Sequence, residues 1–307
     1  MKQIITLINR NLKRYFRDKG TVFFSLLTML IVIALMLFFL GDMNVRSLTN
    51  AAKELGIADL ELIEQNAKLY LLMWTAAGVL AVNTVTVTQT MIGFQIEDMS
   101  KKKMPGFLIS PVSRLKLTLG YVGAAWVCSM MIGLLTLVLT QAYVVSQGAG
   151  ALSLMENLQI IGMLAANSFT FAALMHLVAQ LVNSEGAWSG FGTVMGTLVG
   201  FLGAIYIPMG GLPAGVQSFL KCTPVLYGTS MLRRVMTSHV GDTLFESFGE
   251  YFIENIQPEY LEEMGVTLTI GGNVLSVGTE LAIILLCGIL FSAISFLVMR
   301  RKNYSDR

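Results

Sequence analysis

The run LYLLMWTAAGVLAVNTVTVTQTMIGFQI, Leu69–Ile96, contains no charged residue. A helix needs about 20 mainly apolar residues to cross roughly 30 Å of hydrocarbon, so this run is long enough to span a membrane. Its centre, Asn83 to Thr90, alternates as a half-buried strand would. An open strand in lipid would leave backbone groups without hydrogen bonds, so a membrane position requires a helix. The run therefore predicts a transmembrane helix that carries polar side chains.

The rest of the chain is equally apolar. Of its 307 residues, 54% are hydrophobic and 13% are charged, and the mean hydropathy is +0.68. Soluble domains carry about 25% charged residues, so these charges are too few to cover a soluble surface. We predict an all-α membrane protein with six transmembrane helices, at about residues 22–40, 70–94, 118–145, 158–182, 187–207 and 281–299.

The basic residues indicate which side of the membrane is cytoplasmic. Six basic residues and one acidic residue precede Gly20, five basic and two acidic lie in segment 97–116, and four basic and one acidic follow Met299. With six spans these segments share one side, which the positive-inside rule makes the cytoplasm. The net acidic segments 42–68 and 208–280 then lie outside. The first apolar stretch is longer than a signal-peptide core, so we expect it to remain as a span.

Residues 1–20 predict an amphipathic helix at the membrane interface. Apolar residues recur every three to four positions, and the positions between them are filled by Arg10, Lys13, Arg14 and Arg17. This helix either anchors the chain to lipid or also contacts a cytoplasmic partner. Outside the membrane, helices are expected at about 51–69 and 213–236, and a small hairpin at about 266–277, around Gly271-Gly272-Asn273.

Motifs of enzymes are missing from the sequence. It has no phosphate-binding G-x-x-x-x-G-K-[ST] pattern, two histidines, and three cysteines without metal-ligand spacing. The only ionisable residue within a predicted span is His176, which we expect to bond a neighbouring helix, whereas a membrane enzyme or proton-coupled carrier would show several. We therefore predict no catalytic residue, metal ligand or cofactor site, no activity as an enzyme by itself, and no nucleic-acid partner.

Two patterns within the spans have functional and purely structural interpretations. Asn83, Thr86 and Thr90 share one helix face, and they either form a wall of a translocation path or, for the threonines, bond their own backbone one turn earlier. In the fifth span, small residues recur every four positions and predict close helix packing, within the chain or with another subunit: Gly192, Gly196 and Gly200.

The cytoplasmic loop EDMSKKKMPGFLISPVSR, Glu97–Arg114, has charged ends and a mostly apolar middle, which suggests a contact surface. It resembles the coupling loop of type-2 class ABC transporter permeases. The basic segment Asn9–Phe24 resembles the connecting helix of that family. Leu212-Pro213, Pro224-Val225-Leu226-Tyr227 and Arg233 resemble its outer segment, and the six-span layout also agrees.

The resemblance implies a permease that pairs with a second, identical or homologous permease and receives two separate ATPase subunits, which bind ATP and Mg²⁺. By position, the ATPases would be received by the N-terminal helix and by the loop, whose candidate residues are Glu97, Asp98, Phe107, Ser110, Pro111 and Arg114. It also implies export of an amphipathic drug, peptide antibiotic or lipid across the plasma membrane, which in a bacterium is the inner membrane.

Two other functions are compatible with the sequence. One is a secondary carrier or channel without an ATPase. The other is a membrane scaffold or receptor subunit whose outer region binds a partner, because the acidic stretch after Met236 is longer than the short loop that the family implies.

Overall fold

The computed structural model describes residues 1–35, 41–57, 59–103 and 112–301. Its helices are α1 Lys2–Arg17, α2 Lys19–Leu35, α3 Gly41–Glu54, α4 Leu60–Ser100, α5 Arg114–Ser146, α6 Leu154–Ala179, α7 Glu185–Leu202, α8 Ala214–Leu220, α9 Pro224–Glu246, α10 Glu250–Asn255, α11 Gln257–Glu263 and α12 Val277–Arg301. A 3-10 turn covers Met209–Gly211, and the strands are β1 Thr269–Ile270 and β2 Asn273–Val274.

Helix α4 is the centre of the molecule. Its 41 residues extend over about 60 Å, twice the thickness of the hydrocarbon layer. It packs against α5, α6, α7 and α9. Within its most apolar stretch of 18 residues, 94% are buried inside the protein. A helix surrounded by protein in this way can carry polar side chains on more than one face, as the sequence of α4 requires.

Four helices in the described part of the chain are long and apolar enough to cross a membrane, namely α4, α5, α6 and α12. Only 17% of the most apolar 18-residue stretch of α12 is buried, so its apolar surface faces outward, where lipid would solvate it. The all-α membrane class is therefore confirmed. The first and fifth predicted spans correspond to α2 and α7, which are not among these four, and residues 36–40 of the first lie outside the described residues.

A buried arginine joins three parts of the fold. Arg233 of α9 is fully buried and donates hydrogen bonds to the carbonyl oxygens of Ala204 (2.8 Å), Met264 (3.3 Å) and Gly265 (3.4 Å). Its guanidinium carbon lies 3.9 Å from the ring centroid of Trp74, whose indole N–H donates to the same Met264 carbonyl at 2.8 Å. One side chain thus joins the end of α7, the turn after α11 and the central helix.

Two outer helices differ from the prediction. The expected helix at 51–69 is interrupted, because Gly56 turns the chain with φ 74° after α3 and Asp59 caps a new helix by accepting from the Leu62 N–H at 3.1 Å. The expected helix at 213–236 is divided in the same way. Residues 221–223 form a turn, Pro224 occupies the first turn of α9, and α9 continues to Glu246.

The small predicted hairpin is confirmed. Thr269 pairs with Val274 and Ile270 with Asn273 in an antiparallel register. Gly271 and Gly272 have φ of 59° and 81°, the left-handed conformations that a two-residue hairpin loop requires.

Replacing Arg233 by alanine should destabilise the outer part of the fold. The substitution removes three hydrogen bonds and a cation–π contact, and it leaves buried carbonyls without donors, at a cost on the order of 3 kcal/mol. We expect a lower thermal unfolding temperature of the detergent-solubilised protein for Arg233→Ala. Lys53→Ala, which removes an exposed basic residue of α3, is the control. Equal unfolding temperatures for the two variants would contradict this role of Arg233.

Candidate coupling site on the cytoplasmic side

The N-terminal helix lies against the start of α5. Glycines on α5 allow this approach, since a Cβ on Gly120 would lie 2.6 Å from the Cβ of Leu7, and one on Gly123 would lie 2.9 Å from Ile8 Cδ1. Leu7 and Tyr15 of α1 are buried, and the Tyr15 hydroxyl donates to Ser25 Oγ of α2 at 3.0 Å. The predicted amphipathic helix is therefore present and is packed on the protein.

A fully buried carboxylate joins α1 to the inner end of α4. Asp98 accepts hydrogen bonds from Arg10 at 2.5 Å, from Arg14 at 3.2 Å and from the Tyr121 hydroxyl at 2.7 Å. Its side chain has no exposed surface, and Lys103 Nζ lies 3.7 Å from it. Helices α1, α4 and α5 therefore meet at the Asp98 carboxylate.

The neighbouring Glu97 extends this ion cluster toward solvent. It forms ion pairs with Arg14 and, at 2.5 Å, with Lys101. The Arg14 guanidinium also lies 4.3 Å from the centroid of the Phe94 ring. We call the group of Arg10, Arg14, Glu97, Asp98 and Tyr121 the cytoplasmic clasp.

The clasp remains charged at neutral pH. Asp98 lies beyond the apolar run that ends at Ile96. Burial alone would raise the pKa of its carboxyl, but the hydrogen bonds from Arg10 and Tyr121 and the charges of Arg10 and Arg14 lower that pKa below its ordinary value. Burial likewise opposes the charge of Arg10, yet its contacts with Asp98 and Tyr121 raise its pKa. The two groups thus hold each other ionised.

The predicted coupling residues occupy different positions. Glu97 and Asp98 belong to the clasp, and Asp98 is buried beneath α1. Arg114 is exposed at the first position of α5, and Lys13 and Arg17 are exposed on α1. Phe107, Ser110 and Pro111 lie outside the described residues. The clasp therefore places α1 and both ends of the cytoplasmic loop in one region.

The polar residues proposed as a translocation wall are mostly inside the helix bundle. The Asn83 amide donates to Thr136 Oγ1 of α5 at 3.1 Å, and Asn83 is buried. The hydroxyls of Thr86 and Thr90 donate to carbonyls one turn earlier, at 3.2 and 2.9 Å. The threonine hydroxyls thus bond their own backbone, as the purely structural interpretation predicts. The side chains of Thr86 and Thr90 are half-buried.

The three glycines of α7 have different surroundings. A Cβ on Gly192 would collide with the Gln89 side chain of α4, so this glycine does allow close helix packing. Gly200 packs against Tyr206, in the segment that follows α7, and Gly196 faces open space. Within one chain, only Gly192 of the three glycines therefore allows close packing against α4.

Further buried polar contacts lie outside the predicted coupling site. His176 does bond a neighbouring helix, since its Nδ1 lies 2.6 Å from Ser295 Oγ of α12. Glu280, left outside the predicted sixth span, is fully buried in the first turn of α12 and pairs with Arg234 at 3.0 Å. Tyr121 also escaped prediction, because a tyrosine within an apolar run gives no sign of its partner. In the described part of the chain, no cluster of histidine, cysteine and acidic residues could hold a metal ion.

These features define a polytopic helical membrane protein whose N-terminal helix is fixed beneath the bundle. The family model described as "ABC-2 family transporter protein" matches residues 43–297. The chain therefore belongs to that family, which confirms the resemblance seen in the loop. It is a permease of an ABC transporter, a class that works with an ATPase subunit. The search of curated proteins found no match.

Replacing Gly120 by valine should separate α1 from the bundle. The added Cβ would meet Leu7, and an isolated helix of 16 residues is marginally stable in water. We expect faster backbone hydrogen exchange across residues 2–17 in Gly120→Val. Gly162→Val is the matched control, because a Cβ on Gly162 of α6 would meet nothing within 4 Å. Unchanged protection of α1 in Gly120→Val would contradict the described packing.

Proposed function

We propose that this chain is the membrane subunit of an ATP-driven exporter, with six spans and both termini in the cytoplasm. Helices α2 and α7 would be the first and fifth spans. This arrangement is supported by the basic segments before Gly20, at 97–116 and after Met299, which then share the cytoplasmic side.

The cytoplasmic clasp is the observation that carries this proposal. A transporter driven by a separate ATPase needs a surface that converts movement of that ATPase into movement of the spans. The clasp ties α1, whose Lys13 and Arg17 are exposed, to α4, the helix that contacts most of the others. A push on α1 or on the adjacent loop would therefore reach the centre of the bundle through Asp98 without passing through lipid-facing helices.

The proposed complex contains two of these permeases, or one and a homologue, and two ATPase subunits. The ATPases would supply the ATP and Mg²⁺ sites, so this chain would not be an enzyme by itself. The second permease would pack against α7 beside Gly196, where an added Cβ would meet nothing within 4 Å. Small residues at such a position let two helices approach closely.

The proposed cargo is an amphipathic compound, such as a drug, a peptide antibiotic or a lipid, and the proposed location is the plasma membrane, in a bacterium the inner membrane. Asn83, Thr86 and Thr90 remain candidates for the translocation wall. The partial exposure of Thr86 and Thr90 supports this role, and their hydroxyl lone pairs could still accept from a cargo while they donate to the backbone.

Removing both charged ends of the loop should release the ATPase. We expect Glu97→Ala combined with Arg114→Ala to lose most of the nucleotide-hydrolysing protein that co-purifies with wild-type permease from native membranes. The matched control is Glu64→Ala combined with Lys68→Ala, which removes an exposed ion pair (2.7 Å) from the outer end of the same helix α4.

The readouts are the amount of co-purified ATPase and its hydrolysis rate. Loss in the loop variant with retention in the control supports the proposal. Full retention and normal stimulated hydrolysis in the loop variant would refute it. Flux that depends on a proton or sodium gradient, without any ATPase, would favour a secondary carrier instead.

A further inference from the structure

A narrow apolar groove opens between α5 and α12 and is closed at its base by α6. Its volume is about 200 Å³. Leu119 and Val122 of α5, Phe169 and His176 of α6, and Phe296 and Met299 of α12 are among its lining residues. Neither the clasp nor the glycines of α7 contribute to it.

The groove lies in the cytoplasmic half of the bundle. It follows α5 from Leu115 to Val122 and α12 from Ser292 to Met299, about 10 Å along either helix. The ends of the two helices are at the same level, since the Thr118 hydroxyl donates to Met299 Sδ at 3.3 Å. Given the proposed orientation, the groove occupies most of one leaflet, whose hydrocarbon is about 15 Å deep.

The dimensions of the groove select its occupant. The groove has a volume of about 200 Å³ and a length of about 10 Å, so it is a narrow slot. A packed helix is about 10 Å wide and cannot enter, whereas a single extended hydrocarbon chain can. Two polar residues in the wall are hydrogen-bonded to each other, with His176 Nδ1 2.6 Å from Ser295 Oγ. Because these groups already have partners, placing a hydrocarbon chain beside them costs less free energy.

Two arginines flank the cytoplasmic mouth of the groove. Arg114 directly precedes the lining residue Leu115, and Arg300 directly follows the lining residue Met299. Both are exposed, and the Arg300 guanidinium lies 5.4 Å from the ring centroid of Phe296, which lines the groove. An apolar slot with an exposed arginine next to the last lining residue of each helix matches a molecule with a hydrocarbon chain and an anionic head.

We infer that this groove binds an anionic phospholipid of the cytoplasmic leaflet. One acyl chain lies between α5 and α12, and the phosphate is held by Arg114 and Arg300. The cytoplasmic leaflet is rich in anionic lipids, which basic residues near the membrane surface attract. The site relies on the proposed orientation of the chain in the membrane but not on the ATPase, so it can be tested on the permease alone.

The charge requirement can be tested by native mass spectrometry. The full chain in detergent is titrated with dioleoylphosphatidylglycerol or dioleoylphosphatidylcholine, and the first bound lipid is quantified. Wild type should prefer the anionic lipid, and Arg114→Gln with Arg300→Gln should weaken that preference on the order of tenfold. Lys13→Gln with Arg17→Gln, which removes two exposed charges of α1 on the same side, should retain it.

The groove itself is tested by filling it. Ser292→Phe places a ring in the groove and should reduce binding of both lipids, whereas Ala293→Phe places the same ring on the adjacent exposed position of α12 and should not. The inference fails if wild type shows no lipid preference, if both arginine and control variants lose it alike, or if Ser292→Phe binds lipid normally. Such a failure would leave ATPase co-purification unaffected, so it is distinguishable from failure of the proposed function.

Discussion

The carboxylate of Asp98 has no access to solvent, and this constraint organises the end of the protein where α1, α4 and α5 meet. An uncompensated buried charge costs about 3–5 kcal/mol when one partner of a pair is removed. Asp98 avoids that cost through Arg10, Arg14 and the Tyr121 hydroxyl, which come from two other helices. The charge can be buried only where α1, α4 and α5 meet, so it fixes the position of an otherwise marginal amphipathic helix.

A second buried charge is compensated beside Trp74, nearer the middle of α4. Arg233 is buried there among three carbonyl oxygens and the Trp74 ring, and it ties the outer helices to the central one. Between Trp74 and Asp98, the threonine hydroxyls of α4 bond its own backbone, so this part of the helix carries few exposed polar groups. Helix α4 is thus held by buried charges beside Trp74 and at its C-terminal end, and by packing between them.

Much of this architecture follows from the sequence because lipid imposes strong rules. Charge-free runs located the four helices that are long and apolar enough to cross a membrane, and the Gly271-Gly272 pair marked the hairpin. The interruption at Gly56 was missed because a single glycine is compatible with a continuous helix. The partners of Asp98 and Arg233 were also missed, because they come from segments far apart in the chain, and no local pattern records such contacts.

The central claim, that α1 and the adjacent loop form the docking surface for an ATPase, is tested most directly by site-specific photo-cross-linking in intact cells. A photoreactive residue replaces the exposed Lys13 of α1 or, as the control on the proposed outer side, the exposed Glu254 of α10. The account predicts a cross-linked nucleotide-binding protein from position 13 and none from position 254. No such product from position 13, or the same product from both positions, would contradict it.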